Sequence, residues 1–249
     1  MPSPALQAVF RSLRNYQGAD APKAAMDRLY AQFVCRDALV FDIGAHVGDR
    51  VSSFRRLGAR VVALEPQPLL VRALRLIHGR DAGVMLLPAA VAACGGDVTL
   101  HINSRNPTVS TVSDAFRIEA DGAVGWEGQV WDRELIVPAV TLDRLIAVFG
   151  PPQFVKIDVE GFEDEVLAGL SQPVPQVSFE FTTIARAVVL RCLERLASLG
   201  VYQFNCALGE SQTLTFDPWI NAAHMAQHLS NLPHAANSGD VYAVRIEHA

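Results

Sequence analysis

The sequence predicts an α/β fold built on a mostly parallel sheet, and three observations carry that prediction. Residues 39–66 read LVFDIGAHVGDRVSSFRRLGARVVALEP, an apolar run, a glycine turn, a short amphipathic segment and a second apolar run. The same strand-then-helix alternation continues downstream, which is how parallel strands are joined. Acids close the first two apolar runs, Asp42 after Leu39-Val40-Phe41 and Glu65 after Val61-Val62-Ala63-Leu64. In a parallel sheet those carboxyl ends face the ligand crevice.

Each element follows from its pattern. Leu6, Val9, Phe10 and Leu13, then Met26, Leu29, Tyr30 and Phe33, recur at helical spacing, so residues 1–36 read as helices that pack on the main domain. After Glu65, residues 68–77 read as a helix and 84–91 as a third strand. Gly95-Gly96 turns into an alternating, antiparallel-type strand at 97–102. Residues 103–135 are irregular, and a polar stretch that long is functional or mobile. Residues 137–140 lead to Thr141, a fitting N-cap for a helix reaching Phe149. Strands at 154–161, 176–181, 201–206 and 240–246 and helices at 162–170 and 184–199 complete the pattern, with residues 207–239 between the last two strands.

Composition bounds the function. The 249 residues are half hydrophobic and 19% charged, which suits a globular chain with a full core. A formal charge of -5 and the lack of a Lys/Arg cluster argue against a nucleic-acid partner. Arg72, Arg75 and Arg80 read as a solvated helix face. No run approaches the roughly 20 apolar residues of a membrane span, and the N-terminus lacks a secretory pattern. The four cysteines show no metal or redox spacing. Cys35, Cys94 and Cys192 sit among apolar or small residues and are expected as buried free thiols in a reducing cytoplasm.

The glycine turn specifies the cofactor. A dinucleotide site wants G-x-G-x-x-G, whose middle glycine seats the pyrophosphate on a helix N-terminus. Here the turn is Gly44-Ala45-His46-Val47-Gly48, with His46 in the middle place and no Arg or Lys between Asp42 and Gly48. Asp42 would repel a pyrophosphate and suits the sulfonium and ammonium of S-adenosylmethionine. Glu65 can accept both ribose hydroxyls, and the glycines let the backbone approach the ligand. The expected cofactor-binding set is Asp42, Gly44, His46, Gly48, Glu65 and Pro66. His46 either contacts the cofactor's carboxylate or is an exposed turn residue. A nicotinamide-dependent oxidoreductase is the rival enzyme class. A non-catalytic module that holds the donor without turning it over is the rival outside enzymes.

A second constellation lies at Lys156, Asp158 and Glu160, two apart and therefore expected on one face of one strand. Three buried like-facing charges are costly in a covered strand, so they belong at its open carboxyl end, beside Asp42 and Glu65. The bland alternative is a charge network bracing the strand end. Glu180 closes the next apolar strand and is a fourth candidate acid.

Together, FDIGAHVGD, LEP, VTLDRL, VKIDVEGFEDEVLAGL and VSFEF resemble the FkbM-type family of S-adenosylmethionine-dependent methyltransferases, over about residues 39–181 and in the family's order. The KIDVEG-F-E-x-x-V-L-x-G stretch is the most specific part. The resemblance implies the class I methyltransferase Rossmann-like fold, a mostly parallel seven-stranded sheet with helices on both faces, and O-methylation of a hydroxyl. Residues 1–36 are expected to form an N-terminal helical cap and 37–249 the methyltransferase domain, with irregular insertions at 103–135 and 207–239. Residues 1–38 and 207–239 match no family motif, and acceptor choice is expected there. The cap covers either the site or a partner subunit.

Methyl transfer to a small-molecule, sugar or glycan hydroxyl needs geometry and a base. Asp158 is the expected base or orienting group, Lys156 holds it ionised or touches the acceptor, and Glu160 buttresses the site. In the alternative, Asp158 and Glu180 ligate a divalent cation such as Mg. Two oxygens are fewer than such an ion takes, so this arrangement is not favoured. His224 and His228, four apart, read as a polar helix face rather than a metal pair. Trp126 and Trp131 either line a substrate pocket or staple a loop. Ser110, Thr111 and Ser113 supply either cofactor-facing hydroxyls or turn bonds.

Overall fold

A computed structural model describes residues 3–18 and 20–246. Residues 1, 2 and 19 of the expected cap 1–36, and residues 247–249 of the expected domain 37–249, lie outside the described residues.

Two helices lead the chain, α1 (Pro4–Gln17) and α2 (Asp20–Tyr30), followed by β1 (Leu39–Ile43), α3 (Asp49–Arg56), β2 (Arg60–Leu64), α4 (Pro68–His78) and β3 (Val84–Leu87). Next come β4 (Ala90–Val91), β5 (Gly96–Ile102), α5 (Asp114–Ala120), β6 (Arg133–Val140), α6 (Leu142–Phe149), β7 (Phe154–Ile157) and α7 (Glu163–Ala168). The chain continues through β8 (Gln176–Thr182), α8 (Arg186–Leu199), β9 (Tyr202–Leu208), α9 (Ala222–Asn231) and β10 (Ser238–Arg245).

Every residue of β1 is buried, as expected of a strand covered on both faces. It pairs in parallel with β2 on one side and β7 on the other. The main sheet has seven strands in the order β3-β2-β1-β7-β8-β10-β9. All neighbours run parallel except β10, which is antiparallel to both β8 and β9. Strand order reverses between β1 and β7, the switch point at which such a sheet opens its crevice. This is the expected class I Rossmann-like sheet.

Side-chain alternation divides the core. Leu39, Phe41 and Ile43 join Phe179, Leu193 and Leu196 on one face; Val40 joins Phe54, Phe154 and Tyr242 on the other. Met26, Leu29, Tyr30 and Phe33 enter that second core, where Phe33 stacks on Tyr242 at 5.2 Å. Val9 of α1 packs instead on Leu70 and Ala73 of α4.

Several local expectations change. Residues 84–91 are not one strand: β3 edges the main sheet, whereas β4 joins a three-stranded sheet ordered β4-β6-β5. Pro88 lies at the break and has no N–H to continue a ladder. The strand expected at 154–161 ends at Ile157. The 103–135 segment contains a 3-10 turn at Pro107–Val109 and α5, whose N-cap Ser113 accepts from the Phe116 amide. The 207–239 segment contains α9, capped by Asn221. Cys192 and Cys206 are buried, but Cys35 and Cys94 are exposed, because each sits in a connection rather than on a core-facing element. Thr141 caps α6 as expected. No helix among the described residues is long and apolar enough to cross a membrane.

Candidate active site

The turn after β1 folds back on the sheet. The Gly44 and Ala45 amides both donate to the Leu64 carbonyl, at 3.0 and 2.9 Å. Gly44, His46 and Gly48 all have left-handed backbone, with φ of 85, 48 and 81°. A Cβ on Gly44 would collide with the Asp158 carbonyl, and one on Gly48 would meet Leu74 and His78. Both glycines permit a close approach of the chain's own atoms, and Gly44 also borders the cavity described below. Gly48 caps α3 and does not line the cavity that the other predicted residues share.

Glu65 is 4% exposed and completes the turn. Its Oε2 accepts from the His46 amide at 3.0 Å and its Oε1 from the Gln67 amide at 2.8 Å. Burial outweighs those bonds and pushes its pKa up to about 8. Asp42 is 2% exposed, and burial raises it to about 7 although Lys156 opposes the shift. One of its oxygens, Oδ2, is buried with no hydrogen-bond partner. His46 is driven down to about 4 by burial, so its ring is neutral; Nε2 has no partner and the ring lies edge-on to Tyr16 at 5.4 Å.

Beyond β7 the chain bends rather than continuing straight. The Asp158 amide donates to the Ile43 carbonyl at 2.9 Å, and Glu160 adopts a φ of 57°. Lys156, Asp158 and Glu160 thus do not share a strand face; the loop gathers them instead. Lys156 is fully buried, and its Nζ donates to Asp240 at 2.8 Å and to Asp158 at 3.3 Å. Burial alone would raise Asp158, but Lys156 and Arg50 hold its carboxyl below the usual range. Glu160 and Glu180 go the other way, raised well above the carboxylate range by burial and by the neighbouring acids. Glu163, raised by burial to about 7, accepts from the Val159 and Gly161 amides and fixes the loop.

An open cavity of about 1020 Å³ is lined by Asp42, Gly44, His46, Glu65, Pro66, Lys156, Asp158, Glu160 and Glu180. Every predicted site residue except Gly48 therefore reaches one space. Asp158, Glu160 and Glu180 each offer an oxygen within 4.8 Å of the others, one more potential cation ligand than the sequence suggested. Thr111 and Ser110 also line the cavity: the Thr111 hydroxyl donates to the Glu160 carbonyl at 2.7 Å, and the Ser110 hydroxyl to Gln67 Oε1 at 3.2 Å.

Trp126 packs edge-on to Phe116, and Trp131 Nε1 donates to the Val109 carbonyl at 2.8 Å, so both staple the loop. His228 lies edge-on to Phe216 on α9. Sequence reasoning missed Arg50, Glu210, Tyr16 and Asp240. Arg50 stands two residues after Gly48, and Asp240 opens the last apolar run, so both positions were visible in the sequence though their partners were not.

The model of the methyltransferase FkbM domain matches residues 42–214, more than half of the chain. The chain belongs to the FkbM methyltransferase family. A curated relative, hexuronic acid methyltransferase AglP of Haloferax volcanii, is 23% identical over 174 residues, covering 69% of this chain and 66% of the relative. The chain thus spans just under two thirds of that relative's length.

Among solved structures, a TehB-like methyltransferase from Corynebacterium glutamicum is 12% identical with a TM-score of 0.47, covering 95% of this chain and 94% of the other. Fibrillarin from Aeropyrum pernix, solved with S-adenosyl-L-methionine, is 11% identical with a TM-score of 0.47, covering 89% and 74%. Strand order and the family match, not these likenesses, carry the fold assignment of this FkbM-family chain.

Proposed function

We propose that this FkbM-family protein methylates a hydroxyl of a sugar, glycan or secondary metabolite, with S-adenosylmethionine as donor. The observation that carries the reading is Asp158, held ionised by the buried Lys156, in one cavity with Asp42 and Glu65. The donor supplies a methyl group on a sulfonium whose leaving group is already good.

The chain's residues divide the remaining work. Asp42, with a buried oxygen lacking a partner, receives the donor's cationic end. Glu65 keeps lone pairs for the ribose hydroxyls while the His46 and Gln67 amides fix its carboxylate. Asp158 orients the acceptor hydroxyl and takes its proton. Lys156 acts through Asp158 rather than on the acceptor, since it is fully enclosed. Glu160 shapes the pocket through its left-handed backbone. A sugar acceptor is supported by the relative that acts on hexuronic acid.

A second reading rests on Asp158, Glu160 and Glu180, whose oxygens converge within 4.8 Å. These acids would hold a divalent cation such as Mg, which would lower the hydroxyl's pKa. Calorimetric titration with S-adenosylmethionine and its demethylated product, with NAD as control, tests the main reading; binding of NAD alone would overturn it. Turnover unaffected by EDTA and by added Mg would remove the second reading.

A further inference from the structure

Arg50 lies at the start of α3, with its side chain 13% exposed on the cavity. Its Nη1 donates to Asp49 at 2.5 Å, and its Nη2 donates to both carboxylate oxygens of Glu210, at 3.0 and 3.1 Å. The Nε is closed off from solvent and has no acceptor. Glu210 therefore spends both oxygens on one nitrogen. A guanidinium edge instead offers two parallel N–H groups to a carboxylate, and here half of that fork is unused.

The cavity makes that fork important. Seven acids line it: Asp42, Asp49, Glu65, Asp158, Glu160, Glu180 and Glu210, with Arg50 and Lys156 as cations. Lys156 is wholly buried and engaged by Asp240 and Asp158. A carboxylate entering this acidic space has Arg50 to receive it. Glu210, in turn, is 59% exposed and sits on the turn after β9, where leaving Arg50 costs little burial. It also lines a second cavity of about 680 Å³, along with Tyr16, Asn15 and Gln17.

We propose that Arg50 is the receptor for a ligand carboxylate and that Glu210 is its exchangeable stand-in. On binding, the incoming carboxylate takes Nε and Nη2 as a matched pair, Asp49 keeps Nη1, and Glu210 swings out to water. The inference rests on the methyltransferase reading and deepens it. Two carboxylates fit the chemistry, that of the donor's amino-acid end and that of an acidic acceptor such as a uronic acid.

Affinities for two matched pairs test it on the full chain. One pair is S-adenosylhomocysteine and its decarboxylated counterpart; the other is methyl glucuronide and methyl glucoside, measured with S-adenosylhomocysteine present. Arg50→Gln should weaken the carboxylate-bearing member of one pair about 10- to 100-fold while its counterpart stays within about twofold. Glu210→Gln should tighten that same member. Loss in the first pair names the donor, and loss in the second names an acidic acceptor.

Equal weakening within both pairs, or no change in either, overturns the proposal. Should Arg50→Gln not fold, Glu210→Gln at its exposed position decides, and unchanged affinity for all four compounds overturns it. Failure of S-adenosylhomocysteine to bind the unaltered protein would instead sink the methyltransferase reading and this inference together.

Discussion

The carbonyl oxygen of Asp158 occupies the space into which a side chain at Gly44 would project. The turn after β1 and the loop after β7 are thus in direct backbone contact, reinforced by the Asp158 amide donating to the Ile43 carbonyl. On the proposed reading, donor binding and acceptor positioning therefore depend on the same few atoms.

Gly44→Ala should therefore damage both stability and binding. The residue has a φ of 85°, and the new methyl group would displace the Asp158 loop. Left-handed strain alone costs about 1–3 kcal/mol, and the clash adds to it. Urea unfolding should show the loss, and donor affinity should fall with it. Unaltered stability would mean the loop yields freely.

Asp158→Asn should cut turnover by about 10²–10⁴-fold, the range of a lost general base. Donor affinity should stay within a few fold, because Asp42 and Glu65 are untouched. Single-turnover kinetics beside equilibrium binding separate the two quantities. A parallel fall in both would make Asp158 a donor ligand rather than a base.

Lys156→Met should be costly, since it leaves Asp240 and Asp158 without their buried cation. Removing one partner of a buried pair costs about 3–5 kcal/mol. Combining it with Asp240→Leu should recover part of that loss. A double-mutant cycle by denaturant titration should give a coupling of at least about 1 kcal/mol; strict additivity would show that the 2.8 Å contact carries no net energy.

The pH dependence has a definite sign. Burial raises Asp42 to about 7 and Glu65 to about 8, so both carboxyls hold protons more tightly folded than unfolded. Their contribution to the stability of the ligand-free protein is full below the ordinary carboxylate range and is lost as pH rises through about 7 and 8. A cationic donor favours the ionised form of Asp42. Binding of S-adenosylmethionine at pH 6.5 should therefore release protons, read as a difference in calorimetric heat between two buffers of unlike ionisation enthalpy. Proton uptake would contradict this account.

Much of the fold was legible because buried parallel strands must be apolar and must stop at polar turns; β1 and β2 follow that rule closely, whereas β8, QVSFEFT, mixes polar residues into its run. The sheet switch at Pro88 was hidden, since Val84–Val91 is uniformly apolar apart from that one residue and either sheet could take either half. The candidate acids were visible as strand-end charges, but their mutual geometry was not. KIDVEG alternates like a strand, yet the amide of Asp158 is captured by Ile43 and the chain bends before Glu160. Asp240 opens a visible strand, but its role escaped notice because its partner Lys156 lies 84 residues away on β7, separated from β10 in the sheet by β8.

The position of β10 in the sheet links the end of the described chain to the charge beside the cavity. It is inserted between β8 and β9, both of which precede it in the chain. Its Asp240 is the nearer of the two carboxylates that hold the Lys156 ammonium, at 2.8 Å against 3.3 Å for Asp158. The strand that fills the gap between β8 and β9 thus also brings in a counter-charge for β7. On the proposed reading, the proton affinity of Asp158 is set partly by a residue that does not border the cavity, with Lys156 as the intermediary.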